Sequence, residues 1–400
     1  MTAAPLILFG AFDRHNLGDL LFPHLWAAHC AERELIYAGL AQRDLTAYGG
    51  HRVQAIAQLA KELGDQAVDI LHVGGELLGC SLYEAAVMTL APDEARAAIA
   101  QYDQDINVHT AWAQNQLHMP QSIGYLVPRK LFPKARHIAY HAVGGTGLDR
   151  LPAAMREEVI ARLQEADHLS VRDRLTQSLL QQAGIPAPLV PDSAHRVAEL
   201  FGQHIKEQAK QDEPAEIQKQ FKQGYLAVQF SADFGDDPSL RQLAAQLDAC
   251  GEKTGLGIVL FRAGAAPWHD ELAAYRRLSG FMRWPQRRIF ESLNLWAICA
   301  LLSQARAFCG SSLHGRIVAQ AVGVAGVSLV QDGQRTSKTA AYCSTWLPAG
   351  EVNVRSVVEV AEGIAQALAL PPAALQAQAD QLADQAQEGM TATLASCQTR

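Results

Sequence analysis

Strand-length apolar runs alternate with helix-period segments over nearly all of this 400-residue chain. A strand followed by a helix and another strand pairs in parallel, because the helix carries the chain back across the sheet. The order therefore predicts an α/β fold. Four hundred residues exceed what one core usually serves, so two domains are expected, with the cleft between them as the place for chemistry. In the first half the runs 5–9, 68–73, 138–143 and 168–171 read as strands, and 52–63, 151–166 and 175–183 as helices. Segment 201–224 is rich in Gln, Lys and Glu with little apolar periodicity, and is read as the connection. A second alternation follows, with strands at 225–230, 256–261, 305–309 and 324–330 and helices at 240–253, 269–279, 291–302 and 313–322. After Pro371-Pro372 an Ala/Gln-rich helix is expected over 373–394. Its stripe of Leu375, Ala379, Leu382 and Ala386 suits lying on another helix or a partner. The expected organisation is a first Rossmann-like domain over 1–200, the connection 201–224, a second Rossmann-like domain over 225–355, and C-terminal helices over 356–400.

A formal net charge of −7 argues against a nucleic-acid binder dominated by phosphate neutralisation. The seven cysteines are odd in number, scattered, and never spaced C-x-x-C, which points to reduced thiols rather than zinc or a disulfide framework. The opening residues lack a basic n-region, and no apolar run approaches about 18 residues. A cytoplasmic protein is expected, with any membrane contact peripheral, at the inner face.

The segment Phe308-Cys309-Gly310-Ser311-Ser312-Leu313-His314-Gly315-Arg316 reads as a buried strand stopping at small hydroxyl residues, with a helix beginning at a histidine. Helix-start amides and a titratable imidazole then converge, which suits an anion undergoing proton chemistry. A plain serine-capped turn fits the same residues. Asp13-Arg14-His15-Asn16-Leu17-Gly18-Asp19 follows the first strand and can present amides to a crevice, or merely cap a helix. Paired glycines follow strands at Gly74-Gly75 and Gly144-Gly145, but neither G-x-G-x-x-G with a downstream acid nor a P-loop is present. Ser170-Val171-Arg172-Asp173-Arg174 brings arginines to a strand end, where they can grip a carboxylate or phosphate, or brace the turn. Pro191-Asp192 ends the next strand. Arg276, Arg277, Arg283, Arg287 and Arg288 lie near Trp268, Phe281 and Trp284, a mix that fits a saccharide-phosphate acceptor, anionic lipid headgroups if the acceptor is lipid-linked, or a solvated helix face. Lys338 closes the loop after the strand that follows the His314 helix.

Taken together, these segments resemble the polysaccharide pyruvyl transferase family. Arg14-His15-Asn16-Leu17-Gly18-Asp19 matches its N-terminal G-x-x-N-x-G-D-like loop, with a looser start. Ser170 to Asp173 match its S-V-R-D segment, Pro191-Asp192 its P-D turn, and Ser312-Leu313-His314-Gly315 its L-H-G hallmark before a small-residue helix. Lys338 stands where the family often carries a lysine. The resemblance implies a glycosyltransferase-B-like pair of domains that transfers pyruvate from phosphoenolpyruvate to two hydroxyls of a polysaccharide or its lipid-linked precursor, forming a cyclic ketal. It further implies His314 as the catalytic residue, donor contacts from Asn16, Gly18, Asp19, Arg172, Ser311, Ser312 and Lys338, and no cofactor; Arg287 and Arg288 of the basic cluster are the candidate acceptor contacts. Many members carry an arginine two residues before the histidine, where this chain has Ser312. Arg172, Arg174 and Arg306 are the candidates to supply that charge. No metal is expected, since Asp233, Asp236 and Asp237 lack D-x-D spacing and H-E-x-x-H is absent. Two other readings remain open: a nucleotide-sugar glycosyltransferase on the same architecture, and a non-catalytic member that acts as a binding partner through its tail.

Overall fold

The computed structural model describes residues 4–331, 337–349 and 352–397. Residues 332–336 of the loop expected before Lys338 lie outside it. The chain divides into two compact units, one of residues to Ser193 together with those from Gln385, the other running from Ala194 to Asp384.

The first unit holds an eight-stranded sheet: β1 (Leu6–Phe9), β2 (Leu35–Gly39), β3 (Arg43–Asp44), β4 (Arg52–Ala55), β5 (Val68–His72), β6 (Gly75–Glu76), β7 (Ala135–Gly144) and β8 (His168–Val171). The order is β3-β4-β2-β1-β5-β7-β6, with β8 on β7. Among the strands of this sheet only the short β3–β4 pair is antiparallel. Every residue of β1 and β5 is buried, which is why β1 reads as an unbroken apolar run rather than an alternating one; β5 also buries Asp69 and His72. The chain builds outward from β1 toward β2, then returns to place β5 on its other side, so the crevice at the carboxyl ends of β1 and β5 is where the strand order reverses.

The second unit holds six strands: β9 (Tyr225–Gln229), β10 (Gly257–Leu260), β11 (Arg287–Ile289), β12 (Ala307–Gly310), β13 (Gly326–Leu329) and β14 (Val354–Arg355). All neighbours are parallel in the order β11-β10-β9-β12-β13-β14. This is the doubly wound 3-2-1-4-5-6 arrangement, and its reversal lies between β9 and β12. Each unit has its own apolar core, one around Ile7, Ile70 and Ile138, the other around Val228, Ile258 and Val327.

Three details differ from the sequence reading. Residues 52–55 form β4, because Arg52 and Gln54 face out while Val53 faces in; the helix starts only at Ile56. Segment 201–224 lies within the second unit and is largely helical, covered by Val197–Gln208 and Asp212–Gln220. Those helices bury only Val197, Ile205, Pro214 and Ile217, too few apolar positions to give a periodic signal, and the chain passes between units at Ser193 and Ala194. Between β6 and β7 stand three helices the sequence reading did not single out, Leu82–Met88, Pro92–Tyr102 and Ile106–Leu117.

The tail forms a single helix, Pro372–Ser396. Its stripe is covered by the chain itself: Leu375 joins the second unit's core, Leu382 packs with Cys343 and Leu347, and Ala386 is fully buried. In the first unit's share of the helix, Thr393 Oγ1 lies 2.9 Å from His141 Nδ1 and 3.1 Å from His168 Nε2. Burial pushes the His141 imidazole down to about 3, so it meets Thr393 uncharged.

Gly315 lets the helix Leu313–Ala321 settle on β12, since a Cβ there would sit 2.9 Å from the Phe308 ring. Gly315→Ala should lower stability by about 1–3 kcal/mol through overpacking, read as a drop in the chemical-denaturation midpoint. An unchanged midpoint would show that Phe308 moves aside freely.

Candidate functional site

In the second unit the residues singled out at 308–316 stand at the strand reversal. Strand β12 ends at Gly310, which has no room for a side chain because a Cβ would lie 2.8 Å from both the carbonyl and the amide oxygen of Gln229. Ser311 and Ser312 then turn the chain into the helix. Ser312 is its N-cap, with Oγ accepting from Gly315 N at 3.1 Å. Its own N–H donates to Gln229 Oε1 at 2.8 Å, while Ser231 N–H donates to Ser311 Oγ at 3.0 Å. His314 follows in the first turn, 8% exposed. The helix Lys338–Trp346 begins alongside: Thr339 Oγ1 donates to the Ser311 carbonyl at 3.1 Å, and Ser337 caps Ala340 N–H at 3.2 Å. Two helix starts, each with backbone amides that lack partners inside the helix, therefore adjoin the His314 turn, with exposed Lys338 at one of them.

The sequence reading missed the residues that hold this turn. Gln229, 2% exposed at the end of β9, uses its acceptor for Ser312 and donates through Nε2 to Asp270 Oδ1 at 2.9 Å. Asp270 Oδ2 accepts Ala263 N–H at 2.6 Å and Gly264 N–H at 3.3 Å. Burial pushes the Asp270 carboxyl up to about 7, against the pull of those hydrogen bonds and of Arg262. The available signal was an amide closing the otherwise apolar run Tyr225-Leu226-Ala227-Val228.

Arg316 does not stand in for the family arginine. It is 3% exposed and its guanidinium lies against β13, where a Gly326 Cβ would fall 1.9 Å from Nη1. Arg306 precedes β12, at the opposite end of that strand from Ser311, with its backbone N–H on the Tyr225 carbonyl. Arg287 and Arg288 form edge strand β11, committed to Ser279 and Trp284 carbonyls and to Glu216 respectively. The structure thus brings Ser311, Ser312, His314 and Lys338 together and leaves these arginines elsewhere in the unit.

In the first unit Asn16 caps its own helix, Leu17–His29, accepting from Gly18 N–H at 3.2 Å and Asp19 N–H at 3.5 Å. Asp19 pairs with Arg14 at 3.6 Å, and Arg14 donates to Tyr125, whose hydroxyl donates to Asp13. Burial raises the Asp13 carboxyl, opposed by Arg14. Arg172, 1% exposed, joins the family segments to each other: Nη2 reaches Glu76 at 2.7 Å and Nη1 reaches Asp192 at 3.1 Å. Burial works against its charge, but Glu76 and Asp192 outweigh that and hold its pKa above the usual value. Glu76 in turn accepts from Thr146 N–H at 2.7 Å. Arg174 is exposed at the start of its helix. A pocket of about 430 Å³ in this unit, lined by Arg43, Lys61 and His118, contains none of the singled-out residues.

Among the described residues no three His, Cys, Asp or Glu side chains gather as a metal site would require, and no helix is long and apolar enough to cross a membrane. Their seven cysteines are free thiols.

Gln229→Glu should place a carboxylate against Asp270, and Asp270→Asn should force the Gln229 amide to turn its N–H₂ onto Ser312 N–H. Each single change should cost about 1–3 kcal/mol, whereas the double variant restores every donor–acceptor pair and should melt above both. Strictly additive losses would break the link. Because the Asp270 carboxyl rises from 3.8 to about 7 on folding, its contribution is fully present below pH 4 and fades as pH approaches 7. The difference in melting temperature between wild type and Asp270→Asn should therefore shrink across that window; a pH-independent difference would contradict the raised carboxyl.

Solved structures with the same architecture include UDP-GlcNAc 2-epimerase from Neisseria meningitidis bound to UDP-GlcNAc, at 10% identity and TM-score 0.54, covering 100% of both chains. The Rickettsia bellii UDP-N-acetylglucosamine 2-epimerase matches at 12% identity and TM-score 0.55 over 97% of this chain and 96% of its own. The α,α-trehalose 6-phosphate synthase of Burkholderia multivorans matches at 11% identity and TM-score 0.54 over 100% of this chain and 99% of its own. These likenesses establish the fold, a glycosyltransferase-B-type pair of α/β domains with a helical C-terminal tail. No curated protein sequence matches the chain. A family model, Polysaccharide pyruvyl transferase, matches residues 119–333, a span that holds the Arg172–Asp192 pair and the whole Ser311–His314 turn. The chain belongs to the polysaccharide pyruvyl transferase family.

Proposed function

We propose that this protein transfers pyruvate from phosphoenolpyruvate to two hydroxyls of a saccharide acceptor, forming a cyclic ketal and releasing phosphate. The observation that carries the reading is the gathering of His314, the Ser311-Ser312 turn and Lys338 at the strand reversal of the second unit. A proton added to the methylene carbon of the enol phosphate makes the neighbouring carbon electrophilic, and an acceptor hydroxyl attacks it. His314 supplies that proton and recovers one from the attacking hydroxyl. The bond to phosphate then breaks, the second hydroxyl closes the ring, and its proton leaves with the phosphate. Lys338 and the two helix starts offset the donor's negative charge. In the first unit Arg172, held by Glu76 and Asp192, keeps the family's S-V-R-D and P-D segments in register.

The test is phosphate release from phosphoenolpyruvate in the presence of a panel of hexopyranosides and their lipid-linked forms. His314→Gln should lower turnover by about 10²–10⁴-fold, and Lys338→Ala should raise KM for phosphoenolpyruvate more than it lowers kcat. Unchanged turnover in His314→Gln would remove the imidazole from the chemistry. A second reading, transfer from a nucleotide sugar, draws on the resemblance to structures that hold UDP-GlcNAc. Thermal shift separates the two: phosphoenolpyruvate raises the melting temperature under the first, UDP under the second.

A further inference from the structure

The loop after β10 presents a large aromatic ring to solvent. Trp268 is 43% exposed, and its backbone sits at φ 64°, in the left-handed region that a bulky residue rarely adopts. Folding normally hides a ring of this size and relieves such backbone strain. Retaining both at one position is a pattern associated with functional loops.

The loop around it is rigid. Asp270 N–H donates to the Gly264 carbonyl at 3.1 Å, His269 N–H to the Ala266 carbonyl at 3.1 Å, and Ala232 N–H to the His269 carbonyl at 2.8 Å. The His269 ring lies over Gly264, where a Cβ would meet it at 2.8 Å. Buried Asp270 ties the base of the loop to Ala263 and Gly264 N–H on one side and to Gln229 on the other. Since Gln229 also receives the Ser312 N–H, two hydrogen bonds in series connect the Trp268 loop to the turn that carries His314. The loop and the turn leave the same, carboxyl edge of one parallel sheet, from β10 and β12 on either side of β9.

We propose that Trp268 is an aromatic platform on which a pyranose ring of the acceptor saccharide stacks. A pyranose presents an apolar face of C–H groups and a rim of hydroxyls, so it pairs with an indole face while its hydroxyls stay available for hydrogen bonding and for reaction. The rigid loop lowers the ordering penalty of binding, as a preorganised aromatic anchor does elsewhere. The assignment names the acceptor side of the proposed pyruvyl transfer and rests on that reading, but sugar binding can be measured without phosphoenolpyruvate.

The experiment is equilibrium titration of the full chain, alone and without donor, with methyl glycosides of glucose, galactose, mannose and N-acetylglucosamine and with UDP, followed by calorimetry. Wild type should bind at least one glycoside. Trp268→Gly, which suits the left-handed backbone, should weaken that binding by about tenfold, the equivalent of returning roughly 60 Å² of apolar contact to water. Trp268→Phe keeps a ring and should stay within about threefold of wild type. Binding of every glycoside equally by wild type and Trp268→Gly overturns the platform, as does binding of UDP alone with loss in Trp268→Gly, which would make the indole a base platform. Sedimentation that shows a dimer lost in Trp268→Gly would also overturn it, since the indole would then be covered by a second copy. Glycoside binding with no pyruvate transfer under any condition would leave the platform standing and sink the donor assignment instead.

Discussion

One buried amide organises the second unit. Gln229 ends the central strand β9 with a donor and an acceptor on the same side chain, and each is spoken for: the acceptor by Ser312 N–H, the donor by Asp270. A parallel sheet whose order reverses between two strands opens a crevice there, and whatever lines it must be fixed against solvent and against its own backbone's demand for partners. Gln229 meets that demand for the β12 turn and for the β10 loop together. Without it Ser312 N–H would be orphaned, and Asp270 would lose the amide that partly offsets the penalty of burying a carboxyl. The placement of His314 is a consequence of this bond, because the helix it opens is capped by the residue Gln229 holds.

The first unit solves a similar problem with charge instead of an amide. Arg172, which follows β8, bridges Glu76 from β6 and Asp192 from the segment beyond the helix Arg174–Gln182, and Glu76 closes onto Thr146, which follows β7. Three strand ends are thereby tied through one guanidinium that is almost wholly out of solvent. Such an arrangement is costly to form and more costly to break, since removing the arginine strands two carboxylates in a poorly solvated site. The short family segments S-V-R-D and P-D thus describe the two halves of one brace.

Much of this was legible in the residues. Alternating apolar runs gave the α/β class because buried parallel strands lack the polar alternation of exposed ones, and the tail's stripe was readable because Leu375, Ala379, Leu382 and Ala386 recur at helical spacing. The L-H-G segment announced a strand-to-helix turn, since Gly315 must lie against Phe308. What failed did so for local physical reasons. β4 was absorbed into a helix because a four-residue strand offers only two turns of alternation, and 201–224 hid two helices behind too few buried positions. Of the two readings of Asn16, the helix cap is the one the structure displays. Gln229 and Asp270 were out of reach, because their partnership spans 41 residues and exists only once β9 and β10 pair.

The proposed reaction protonates an enol phosphate at carbon beside His314 and lets sugar hydroxyls capture it. The most direct measurement is proton and carbon NMR of the product formed from phosphoenolpyruvate and acceptor in heavy water. Protonation at carbon followed by capture gives a saturated ketal whose methyl group carries one deuterium. A product that retains a vinylic methylene, or a glycoside formed only when a nucleotide sugar is supplied, would contradict it.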